Sequence, residues 1–141
     1  MTLTGTHHVR ALKSALRKAR DYWPTVSLRM EVRAQTLKLR YWGLRHITDG
    51  SSTVVDLDYQ AIRSMAGQRV YELRIDDVIG GHRNIRVIFF DPPDDWVPNY
   101  DTPLKPLWIL ETFPKKRSEF TEFDIDRFET ARAVVKERFF R

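Results

Sequence analysis

The chain has 141 residues, 24 Lys and Arg against 19 Asp and Glu for a formal net charge of +5, and no cysteine. That length suits one domain with a sizeable core, and the absence of cysteine excludes a disulfide framework and any thiolate metal site. No apolar run approaches a membrane span and no long apolar segment opens the chain, so a cytoplasmic protein without a membrane partner is expected.

The charge is unevenly placed. Residues 1–47 hold ten basic and two acidic residues, a local +8, and residues 48–141 hold fourteen basic and seventeen acidic, a local −3. A basic segment of this kind points to nucleic acid or to an acidic partner.

From about His7 to Tyr22, Val9, Leu12, Leu16, Ala19 and then Trp23 recur at spacings of three and four, which predicts an amphipathic helix. Arg10, Lys13, Arg17 and Arg20 repeat beside them and form a candidate stripe for RNA phosphates or an acidic protein segment. Pro24 ends this helix and suits the first turn of a second, over about Pro24 to His46. Its apolar stripe is Met30, Ala34, Leu37, Tyr41 and Leu44. Asp58 is placed to cap a short helix from Tyr59 to Met65, which Gly67 terminates.

Three runs rich in β-branched, aromatic and leucine residues then predict an antiparallel meander: Arg69–Ile75, Asn84–Phe90 and Leu107–Arg117. Tyr71, Leu73 and Ile75 share one face of the first run, and Ile85, Val87 and Phe89 one face of the second. If both triplets cover the same core, a three-residue loop at Ile79-Gly80-Gly81 places Val78 opposite His82, Leu73 opposite Val87 and Arg74 opposite Arg86. Like charges so placed repel. Either an anion sits between the two arginines, or Glu72 and Asp76 neutralise them on a solvated face.

The 91–106 connection carries five prolines and is long for a structureless loop. Trp96 and Tyr100 are expected to pin it to the core rather than stack on bases. Thr121 with Asp124 forms a capping box for a last helix whose buried stripe is Ile125, Phe128, Ala131, Val135 and Phe139. The expected fold is therefore α+β: two N-terminal helices, a small twisted antiparallel sheet of three or four strands, and a C-terminal helix. One unit spans 1–141, with a basic helical part at 7–46 and a sheet-plus-helix part at 57–141.

No phosphate loop, HExxH or serine elbow is present. What stands out is basic residues near strand ends: Arg74, Arg83, Arg86, Lys115, Lys116 and Arg117, with His82 nearby. Ala66-Gly67-Gln68-Arg69-Val70-Tyr71-Glu72-Leu73-Arg74, Asn84-Ile85-Arg86-Val87-Ile88-Phe89 and Leu107-Trp108-Ile109-Leu110-Glu111-Thr112-Phe113-Pro114-Lys115-Lys116 follow one another in order, with a helix after them. In this the chain, from roughly Leu57 to Val135, resembles the RelE/HigB-like toxins of bacterial type II toxin–antitoxin systems. It departs from them in Glu111, where that family often has His, in the Pro-rich 91–106 insertion, and in lacking a recognisable N-terminal β-strand.

The resemblance implies an RNA endonuclease that cuts mRNA on the ribosome and is silenced by a cognate antitoxin. The residues suit metal-independent, cofactor-free chemistry in which the RNA 2′-hydroxyl attacks the adjacent phosphorus. Arg74 and Arg86 would stabilise the developing charge, with Arg83 and Arg117 binding RNA beside them. Lys115 or Lys116, crowded by other cations, suits the base, and Glu72, His82 or Tyr71 the other proton transfer. The alternative is a non-catalytic RNA-, ribosome- or DNA-binding module using the same basic face.

Overall fold

The computed structural model describes residues 7–22, 59–77, 82–114 and 119–141. In chain order these form β1 (His7–Ala11), α1 (Lys13–Tyr22), β2 (Tyr59–Ala61), a 3-10 turn (Arg63–Met65), β3 (Val70–Asp77), β4 (His82–Phe90), β5 (Lys105–Pro114) and α2 (Glu122–Phe139). The five strands make one mixed sheet in the order β1-β5-β4-β3-β2. β1 runs parallel to β5, and the other pairs are antiparallel.

This corrects the expected architecture of two N-terminal helices over a small antiparallel sheet. The first expected helix begins six residues late, because His7–Ala11 is a strand. Val9 and Leu12 satisfy a helical spacing, but the free edge of β5 offers a hydrogen-bonding partner that local spacing cannot reveal. Val9 pairs with Leu107 and Arg10 with Trp108. Leu12 N–H then donates to Ile109 C=O at 3.1 Å and carries the ladder to the start of α1. The second expected helix, over 24–46, lies outside the described residues.

A second correction concerns Tyr59–Met65. Tyr59, Gln60 and Ala61 are a strand paired with Leu73, Glu72 and Tyr71, and only Arg63–Met65 turns helically. Gln60 Nε2 donates to Glu72 Oε1 across a directly opposed pair. That bond and the β3 edge outweigh a weak local helix signal. Asp58, the expected cap, lies outside the described residues.

The meander itself follows the sequence reading. Leu73 stands opposite Val87 and Arg74 opposite Arg86. The hairpin end differs: an irregularity between Ile75 and Asp77 sets His82 opposite Asp77 rather than Val78. A β-bulge in β5 is more consequential, because Ile88 pairs with Glu111 while Phe89 pairs with Ile109. The extra residue puts Leu110 and Glu111 on the same side of the sheet.

Both faces are buried. α1 and α2 cover one, where Leu12, Ala15, Val70, Ile88, Phe90, Trp108, Leu110, Ile125, Phe128 and Val135 form the larger core. Leu73, Ile85, Val87, Phe89 and Leu107 form a second cluster on the other face, flanked by Val9, Tyr59 and Tyr71. In the α2 stripe Ile125, Phe128 and Val135 are buried, and Ala131 and Phe139 pack against them. Thr121 Oγ1 accepts from Asp124 N–H at 3.2 Å, and Asp124 Oδ2 accepts from Thr121 N–H at 2.9 Å, closing the expected box.

The 91–106 connection is strapped to the end of α2. Asn99 N–H donates to Phe139 C=O at 2.9 Å, and Asn99 Nδ2 to Arg138 C=O at 2.7 Å, satisfying carbonyls that a helix end leaves open. Trp96 sits edge-on to Phe90 and to Phe140, each at 5.4 Å. Tyr100 meets Trp108 at 6.2 Å. The two loop aromatics therefore pin the connection, as their sequence context suggests.

At the start of this connection Asp91 is buried. Its carboxylate pairs with Arg69 Nη2 and, at 3.2 Å, with Lys105 Nζ. Arg69 has a left-handed backbone, φ 61°, and is tied down by its own Nε–H to Asp91 C=O at 2.7 Å. Asp91→Ala is expected to cost about 2 kcal/mol, since charged hydrogen bonds contribute about 1.5–3 kcal/mol and both cations are partly solvated. Urea unfolding checks this as a lower midpoint at unchanged slope. A shift below about 0.5 kcal/mol would rule out Asp91 as the anchor of this turn.

Candidate functional site

Sequence reasoning points to two places, and the fold separates them. The first is one end of the sheet. Arg74 and Arg86 are direct cross-strand partners, so they share a face as the parity of the apolar residues requires. That face is the helix-covered one rather than a solvated one. Glu72 and Arg86 are buried, 3% and 8% exposed. Arg86 Nε lies 3.4 Å from Glu72 Oε2, and Arg86 Nη1–H donates to Ile85 C=O at 3.2 Å. Glu72 is thus an ion-pair partner of Arg86 and an acceptor for Gln60. Tyr71 points to the opposite face, stacked on Phe89 at 5.5 Å, and cannot act with the two arginines.

β5 ends at Pro114, opposite Ile85 and one step from Arg86. Lys115, Lys116 and Arg117 follow directly in the sequence and lie outside the described residues. The backbone of His82 and Arg83 belongs to β4, but their side chains, like that of Arg20, lie outside the described residues.

The second place is a groove of about 950 Å³ between α1 and α2, floored by β5. Arg10, Lys13 and Arg17 all line it. They do not form one helical stripe: Arg10 comes from β1, and the other two from α1. The buried residues beside α1 are Leu12 and Ala15, whereas Leu16, expected inside, is 55% exposed. Val9 packs on the other face of the sheet. The Arg10 guanidinium sits 4.5 Å from the Tyr100 ring, 5.0 Å from Trp108 and 5.4 Å from Phe139. A cation held over aromatic faces is attracted by their quadrupoles and loses side-chain freedom in advance of any ligand.

Lys18, Glu111 and Arg127 are among the groove residues that escape the sequence reading as site residues. Glu111 is 4% exposed. It accepts from Lys18 Nζ at 2.6 Å and from Arg127 Nε at 3.1 Å, and Arg127 also reaches Asp124 at 3.0 Å. The available signal was a carboxylate inside the apolar run Leu107–Phe113. A buried charge needs partners, and the basic residues of the flanking helices are the ones within reach.

The shifted ionisations lie elsewhere, around Asp91 at the far end of the sheet. Burial lowers the His7 pKa, against an opposing pull from Asp91. Burial also raises Tyr71, with Asp91 adding to it. Lys105 is lowered by burial but raised overall by its bonds to Asp94 and Asp91. Among the described residues no three His, Asp or Glu side chains gather closely enough to hold a metal ion. No described helix is long and apolar enough to cross a membrane. Comparison with protein-family profiles, curated proteins and solved structures gives no match.

Proposed function

We propose that the chain is the toxin of a type II toxin–antitoxin pair, a metal-independent endoribonuclease of the RelE/HigB-like kind acting on mRNA at the ribosome. The observation that carries this reading is the direct juxtaposition of Arg74 and Arg86 across β3 and β4, one step from where β5 hands over to Lys115 and Lys116. β1 is consistent with it, since chains of that family often begin with a strand.

In this reading the 2′-hydroxyl oxygen attacks the neighbouring phosphorus. A new O2′–P bond forms, the P–O5′ bond breaks, and the products end in a 2′,3′-cyclic phosphate and a 5′-hydroxyl. Two arginines side by side offer donors to the phosphate oxygens as their charge grows. Lys115 or Lys116, which follow Pro114 in the sequence, would accept the 2′-hydroxyl proton, since like charge nearby lowers a lysine's proton affinity. His82 would return a proton to the leaving oxygen, because Glu72 is buried as the ion-pair partner of Arg86 and the acceptor for Gln60. A cognate antitoxin would block this end of the sheet.

A specific observation favours a second reading, a non-catalytic RNA- or ribosome-binding module. Arg86 is already neutralised by a buried partner, Glu72, so the pair serves stability whether or not it serves chemistry. Incubating the purified chain with RNA, alone and with translating ribosomes, separates the two. New RNA ends under either condition support the enzyme; bound but intact RNA under both supports the module.

A further inference from the structure

We infer that the groove between α1 and α2 is a binding track for single-stranded RNA, separate from the arginine pair at the sheet end. This rests on the reading that RNA is the partner, and it adds a second site, a strandedness and residues from α2. Six cationic side chains line the groove, Arg10, Lys13, Arg17, Lys18, Arg127 and Arg138, against the carboxylates of Glu111 and Asp126. The excess is four positive charges, drawn from β1, α1 and α2 and therefore brought together only by the fold.

Glu111 does not cancel this field for a ligand. It is buried beneath the cations, 5% exposed at its side chain, while Lys18 and Arg127 remain 38% and 37% exposed above it. The carboxylate fixes the position of both cations, and Asp124, 3.0 Å from Arg127 Nη2, holds that guanidinium from a second side. Arg10 is fixed in another way, by its aromatic cage. Pre-ordered cations lose little entropy when a phosphate arrives.

Phe123 supplies the other half of a single-strand site. It lines the groove and is 78% exposed. Nothing in the packing of α2 requires it there, because Ile125, Phe128 and Val135 already hold the helix to the sheet. A basic track with a solvent-facing aromatic is how proteins hold unpaired bases, which stack on the ring while the backbone follows the cations. An acidic protein helix is the competing occupant, since apolar side chains such as Ala11, Ala15 and Val134 also line the groove, and the exposed ring of Phe123 is what favours unpaired bases. The large apolar residues exposed among the described residues are Leu16, Val97 and Phe123, and of these Phe123 alone lines the groove.

The test is fluorescence anisotropy with a labelled twelve-nucleotide RNA carrying 2′-O-methyl groups throughout. This probe cannot undergo 2′-hydroxyl attack, so failure to bind here is distinct from failure to cleave. Phe123→Ala, at an exposed position, is expected to weaken binding about tenfold, in line with the loss of one stacked base. Lys13→Glu with Arg17→Glu, both exposed, is expected to weaken it further. It should also flatten the salt dependence by about 0.7 in log–log slope for each phosphate that the protein no longer neutralises. A hairpin duplex of equal charge should bind more weakly than the single strand. Equal affinity for duplex, or unchanged single-strand affinity in both variants, would overturn the inference. Capture of a polyglutamate peptide in preference to the RNA would reassign the groove to an acidic protein.

Discussion

Arg86→Ala is expected to destabilise the protein by about 3 kcal/mol, and Glu72→Gln with Arg86→Met to recover most of that loss. Both partners are buried, and removing one of a buried pair leaves the other's charge uncompensated, at about 3–5 kcal/mol. Gln60 continues to donate to Glu72, which places the cost toward the lower end. The double replacement removes both charges at similar volume, and the new amide oxygen at 72 can still accept from Gln60. A double-mutant cycle in urea reads the coupling directly. Near-additivity would mean that the ion pair contributes nothing. The same geometry makes the single alanine variant a poor probe of chemistry, since lost activity and lost folding would be indistinguishable.

The second large effect is expected at Trp108. It is 1% exposed, lies stacked on Phe139 at 4.2 Å, meets Tyr100 edge-on and sits below Arg10. Through these neighbours it joins β5, α2, the 91–106 connection and β1. Trp108→Ala removes this centre and should cost about 3–5 kcal/mol, comparable with the whole stability of many small domains. Trp108→Phe should retain the stacking and lose much less. Thermal unfolding followed by circular dichroism would show the difference. Similar midpoints for the alanine and phenylalanine variants would mean that Trp108 is not the junction described.

The two predictions mark where the sequence was legible. Alternation in β3 and β4 set the register as far as Arg74–Arg86, because a slip by one residue would put Leu73 and Val87 on opposite faces of the sheet. The capping box and stripe of α2 were equally clear, since both depend on neighbours in the chain. β1 was not legible: His7–Ala11 has only one β-branched residue and becomes a strand because the edge of β5 is there to pair with. β2 is a similar case, stabilised by Glu72 and its neighbours on β3.

The candidate sites divide in the same way. That Arg74 faces Arg86 could be read from parity. That Glu72 neutralises one of them inside the core could not be fixed from the register, which assumed a single buried face. The groove was half visible, as Arg10, Lys13 and Arg17. Its α2 side depends on the bulge that turns Glu111 toward Lys18 and Arg127, and a bulge leaves no mark in the local pattern of residues.

The most direct measurement is of the RNA ends made by the purified chain on translating ribosomes, for the parent and for the folded Glu72→Gln/Arg86→Met variant. The parent is expected to leave 2′,3′-cyclic phosphate and 5′-hydroxyl ends. The variant should form them about a hundredfold more slowly, the expected cost of one transition-state donor at about 3 kcal/mol. Equal cleavage by the two proteins, or no new ends from the parent, would contradict the proposed function.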